Sequence, residues 1–114
     1  MTEFAKPATE GLREIVLGFL SGNEISETDR EQYLEVIASA LLVHLDRERV
    51  RMGLWKEYPA KDQMSQVRVK TDRVLRSLER GFEMTEDMKE NAIEECYDII
   101  NYAIFTVRIL TGRI

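Results

Sequence analysis

Glu90, Glu94 and Asp98 stand at i, i+4 and i+8, and Asn101 continues the same stripe. On a helix this spacing stacks three carboxylates on one face, and like charges one turn apart destabilise it by about 0.2–0.5 kcal/mol per pair. Such a stack calls for solvent, basic partners or a divalent cation. Carboxylates one turn apart in a helical bundle suit a hard cation such as Mg²⁺, which takes oxygen ligands. Asn101 could add an oxygen or orient a ligand. A solvated acidic face is the plainer reading of the same residues.

Other residues bear on this chemistry. Lys70 and Arg68 flank the apolar positions Val67, Thr71, Val74, Leu75 and Leu78. Pairing with the acidic stripe is their plain reading, and phosphate binding the sharper one. His44 and Glu48 fall inside the core arc of their own helix. The histidine reads as a satisfied core or rim residue. The glutamate needs a partner, a metal or a helix end that emerges into solvent. Arg47, Arg49 and Arg51 complement a helix C-terminus or, alternatively, form an anion site. Trp55, the sole tryptophan, lies in a loop where it could stack on a base or cap the bundle.

The elements that must position these residues are helical. From Thr85 to Leu110 a threonine N-cap and first-turn acids begin a long helix. Ile93, Cys96, Tyr97, Ile100, Ala103, Ile104, Val107 and Leu110 share one apolar arc that predicts a core face. Ile109 and Phe105 then make its C-terminal half apolar nearly all round, enough to suggest a homo-oligomer. A helix from Thr28, in a Thr28–Glu31 capping box, to about Met52 reads as central. Its Tyr33, Leu34, Ile37, Ala40, Leu41 and Leu45 form one face. A short amphipathic helix, Thr9–Leu20, precedes it, and another spans about Ser65 to Arg80, with Gly81 as its stop. Gly53–Met64 is the one long irregular segment. The expectation is an all-α bundle of four main helices in a single domain, residues 1–114, with residues 1–8 as a tail.

Composition bounds the function. With 44% hydrophobic and 32% charged residues the chain resembles ordinary globular proteins, and 114 residues suffice for one core. A net charge of −5 argues against a general nucleic-acid binder. The single cysteine, Cys96, lies on the expected core arc and reads as buried, in keeping with a reducing cytoplasm. MTEFAKPATE lacks the pattern of a secretory signal, and no apolar run is long enough to span a bilayer. One His and one Cys cannot make a zinc set, and neither a phosphate-binding Gly loop nor a nucleophile elbow is present.

The segment Glu94–Ala103, an acid, three residues, Asp, two residues and Asn-Tyr-Ala, resembles the signature of a small helical family found largely in phages and called nucleotide-modification-associated. Val67–Leu75 resembles that family's "Lys, two residues, Arg-Leu-like" helix, and Trp55 a loop tryptophan before it. The resemblance covers residues 53–108. That family is in turn similar to the MazG-like all-α nucleoside triphosphate pyrophosphohydrolases, which hold Mg²⁺ between an E-x-x-E and an E-x-x-D helix. Glu95-Cys96-Tyr97-Asp98 matches E-x-x-D. Where the first acidic motif would stand, the chain has Lys70 and Arg73, and Glu83-Met84-Thr85-Glu86 straddles a helix start.

The resemblance implies a nucleotide-binding protein of the host cytoplasm. Glu94, Asp98 and Glu95 would hold Mg²⁺, with Glu48 substituting for a missing ligand. Lys70 and Arg73 would neutralise phosphate, Asn101 would contact sugar or base, and Trp55 would stack. The alternative is a non-catalytic helical interaction protein, a phage accessory or inhibitor that binds a host partner or sequesters a nucleotide.

Overall fold

A computed structural model describes Gly18 and residues 25–113. The chain divides into two compact units, Met1–Ser39 and Ala40–Ile114. Three helices make up the described residues, with no strand among them: α1 (Glu27–Arg51), α2 (Ala60–Glu79) and α3 (Glu86–Leu110). The expected first helix, Thr9–Leu20, lies outside the described residues except for Gly18, which is helical. No helix among the described residues is long and apolar enough to cross a membrane.

α1 begins one residue ahead of the expected Thr28. Ser26 supplies the cap, its Oγ accepting from the Asp29 N–H at 3.2 Å. Acids in the first turn, Glu27 and Asp29, and Arg49 and Arg51 in the last, align with the helix dipole. Its apolar residues are spread around the helix rather than gathered in a stripe. In the first unit Tyr33, Leu34, Val36 and Ile37 are exposed. In the second, Ala40 is the fully buried position of this helix, 1% exposed.

After Arg51 the chain turns through two left-handed residues, Met52 (φ 49°) and Gly53 (φ 76°). Glycine takes that conformation without steric penalty, which eases the reversal into a 3₁₀ turn at Leu54–Glu57. Pro59 then sets an extended φ of −68° at the N-cap of α2. Its carbonyl accepts from the Asp62 and Gln63 N–H groups at 3.0 and 3.2 Å. The helix therefore starts at Ala60 rather than near Ser65, and the irregular segment is shorter than expected.

α2 and α3 pack on each other as an αα-hairpin. Between them Gly81 adopts φ 55° and opens a 3₁₀ turn, Gly81–Glu83. Thr85 caps α3 as expected, accepting from the Met88 N–H at 3.2 Å. Such a cap contributes about 1 kcal/mol.

The burial of α3 reverses the expected one. Asp98, Asn101, Phe105 and Thr106 are its buried residues. Ile93, Ile104, Val107 and Leu110 of the expected core arc are 47–59% exposed, and Cys96 on the same arc is exposed, not buried. The physical reason lies in what α2 and α1 offer. Lys70, Arg73 and Arg47 meet the acidic side of α3, and the Ala40 carbonyl meets Asn101. Ion pairs and a buried amide, with Phe105 among aromatic rings, outcompete the aliphatic arc for the inward position.

Candidate functional site: an ion chain beside an aromatic cavity

Five side chains of alternating charge run through the second unit: Arg47, Asp98, Lys70, Glu95 and Arg73. Arg47 Nη1 donates to Asp98 Oδ1. Lys70 Nζ lies 2.9 Å from Asp98 Oδ2 and 3.0 Å from Glu95 Oε2. Arg73 Nη1 closes the series 3.3 Å from Glu95 Oε1. The middle members are the most buried, with side-chain exposures of 5% for Asp98, 13% for Lys70 and 20% for Glu95. The ends are open, at 39% for Arg47 and 58% for Arg73. Three cations against two carboxylates leave one positive charge over, and it surfaces at those ends. Burial pulls the Lys70 ammonium down, but hydrogen bonds and Coulombic attraction from Asp98 and Glu95 together outweigh it. Its pKa stands above the ordinary 10.5.

Phe105 anchors the aromatic part. Trp55 stacks on it with centroids 4.3 Å apart and planes at 11°. His44 meets it edge-on at 4.9 Å, and Tyr102 at 5.9 Å. The Arg108 guanidinium lies 4.8 Å from the centroid of the Trp55 ring. The Trp55 carbonyl accepts from the amide of Gln63 at 2.8 Å, and Gln63 itself is 2% exposed. One buried amide thus ties the 3₁₀ turn to the first turn of α2, and Asn101 ties α3 to α1 by donating to the Ala40 carbonyl at 2.9 Å. No buried side-chain polar atom among the described residues lacks a hydrogen-bond partner.

These elements enclose an open cavity of about 650 Å³. His44, Tyr58, Tyr102 and Phe105 give it aromatic walls, with Trp55 in the same lining. Arg47, Arg51, Glu48 and Asp62 give it charge. Neither Arg51 nor Glu48 has an ion pair among the described residues. A second, polar cavity of about 530 Å³ lies along Lys70, Arg73, Ser77, Glu94 and Glu95. Arg47 and Asp98 line both cavities, so their pair forms a shared wall.

The expected site residues are therefore brought together only in part. Asp98 and Glu95 are inward, but their oxygens hold Lys70, Arg47 and Arg73. Lys70 and Arg73, expected to neutralise phosphate, are engaged with those carboxylates. Glu94 is exposed and lines the polar cavity, whereas Glu48 lines the aromatic one. No three His, Cys, Asp or Glu among the described residues gather as a metal set. Of the four carboxylates expected to hold Mg²⁺, Asp98 and Glu95 give their oxygens to the protein's own cations, while Glu94 and Glu48 have no ion pair among the described residues and line different cavities. Asn101 spends its amide on Ala40, and Trp55, 8% exposed, has its ring in the Phe105 stack.

Tyr102 and Gln63 are residues to which sequence reasoning assigned no role, while Phe105 was read only as part of an apolar surface and Arg47 as helix-end charge or an anion site. Arg47 carried a signal, since it belongs to the Arg47, Arg49, Arg51 alternation, but a helix end explains that pattern equally well. Gln63 carried none.

No protein-family model, no curated protein and no solved structure matches the chain.

Proposed function

We propose that this chain is a nucleotide-handling helical protein that binds a nucleoside phosphate in the aromatic cavity. The observation that carries the reading is the joint lining of that cavity by aromatic side chains and guanidinium groups. A base has a flat face for Tyr58, Tyr102 and His44 to meet. Its phosphate has Arg47 and Arg51 at hand, and guanidinium presents a fork of N–H donors to phosphate oxygens. Glu48, without an ion pair among the described residues, is suited to accept from N–H groups on a base edge. The resemblance of Glu94–Ala103 to the nucleotide-modification-associated signature supports the same ligand class, as does that family's similarity to the MazG-like proteins. Binding in this reading needs no divalent ion.

A thermal-shift screen of nucleosides and their mono-, di- and triphosphates, each with and without Mg²⁺, tests it. At least one nucleotide should raise the melting temperature where its nucleoside does so less, with Mg²⁺ making little difference. No shift with any nucleotide at saturating concentration would sink the reading. Release of pyrophosphate from a stabilising triphosphate would add turnover to binding.

One observation favours an interaction role beside this one. The outward face of α3 exposes Ile93, Ile104, Val107 and Leu110 along one arc. We propose that it pairs with the same face of a second copy, an isologous contact in which one arc serves both sides. A dilution series by light scattering that gives the monomer mass throughout would rule this out.

A further inference from the structure

We infer that Asp98 is a positioning residue that holds the Arg47 guanidinium at the wall of the aromatic cavity as its anion contact, with Lys70 pairing with the same carboxylate from behind. The identity of the anion as a nucleotide phosphate rests on the reading above; the ordering of Arg47 does not.

Arg47 is a long side chain near the end of α1, and left to itself it would sample many rotamers. Asp98, nearly buried, fixes one of its nitrogens through Oδ1. Guanidinium has five N–H donors, so one bond to Asp98 leaves the others to face a ligand. The side chain is 39% exposed, and both cavities open onto it. Arg47 alone on Asp98 would be a closed pair with no charge to spare. Lys70 on Oδ2 changes that balance: Asp98 is shared by two cations, and the series that continues through Glu95 to Arg73 keeps one positive charge in excess. An ordered donor with surplus charge binds an anion without the entropy cost of fixing it at the moment of binding. Arg51 lines the same cavity with no ion pair among the described residues, and so serves as the internal control.

The test is side-chain NMR of the arginine Nε–H groups in the whole protein, with inorganic phosphate as the probe. In the wild type, Arg47 should be ordered and Arg51 mobile, and phosphate should shift the Arg47 resonance. Asp98→Asn should release Arg47 to the mobility of Arg51 and weaken its phosphate response by about tenfold, the scale of one charge-assisted hydrogen bond. Asp98→Glu should restore both. The inference is overturned if wild-type Arg47 is as mobile as Arg51, an outcome that needs no variant to fold. It is equally overturned if phosphate leaves the Arg47 resonance unmoved, or if Asp98→Asn changes neither order nor response. Should phosphate act through an ordered Arg47 while no nucleotide binds, the positioning role stands and the nucleotide reading fails.

Discussion

The two long faces of α3 are built from opposite materials. Inward it sets Asp98, Asn101, Phe105 and Thr106; outward it sets Ile93, Ile104, Val107 and Leu110. Hydrophobicity alone would favour the reverse. The difference teaches that burial here follows partners rather than hydrophobicity. Asp98 and Asn101 have specific mates in α1 or α2, and Thr106 donates to the Tyr102 carbonyl one turn back in α3, so their desolvation is offset by hydrogen bonds and charge. Aliphatic side chains, being non-directional, can be satisfied by any apolar surface, including that of a second molecule.

The sharpest way to break this comparison is Asp98→Ala. Removing one member of a buried ion pair strands the other, and here Lys70 and Arg47 lose a partner together. A loss of about 3–5 kcal/mol is expected in chemical denaturation. Phe105→Ala should follow at about 3 kcal/mol, since it opens the stack under Trp55, and a change in Trp55 fluorescence should accompany it. Asn101→Leu should lose about 1 kcal/mol, because it removes the buried hydrogen bond to the Ala40 carbonyl. On the outward face Val107→Ser should stay within about 0.5 kcal/mol for the isolated chain. Its effect should appear instead as weaker self-association in light scattering. An inward variant milder than the outward one would reverse the assignment of the faces.

The ion chain also sharpens the comparison through pH. The Lys70 pKa is raised in the folded state, so its contribution is fully present below the ordinary 10.5 and fades as pH rises through the folded value. Melting temperature should therefore drop on the alkaline side of 10.5. Lys70→Met should remove that alkaline loss relative to wild type while starting from a lower plateau.

Much of the local structure was legible. Thr85 as a cap, Gly81 as a stop and the long helix between Thr85 and Leu110 all follow from short-range rules that the structure obeys. So does the pairing of Lys70 with the acidic side of the next helix, because α2 and α3 are joined by a short turn and must lie side by side. Asp98 and Asn101 stand out in the sequence as the C-terminal members of the acidic stripe. What they meet does not. Arg47 is 51 residues from Asp98 and Ala40 is 61 from Asn101, distances over which no periodicity speaks. Periodicity also finds an apolar arc without saying whether it faces its own chain or another. Cys96 shows the consequence, since it shares the arc and is exposed with it.

The measurement that bears most directly on the central claim is calorimetric titration of a nucleoside and its phosphates into wild type and Arg47→Ala. Saturable binding that strengthens from nucleoside to nucleotide in the wild type is expected. In Arg47→Ala the nucleotide should weaken to near the nucleoside's level, a loss of about tenfold or more. Equal affinity for nucleoside and nucleotide in the wild type, or nucleotide binding indifferent to Arg47, would contradict an anion contact at the wall of the aromatic cavity.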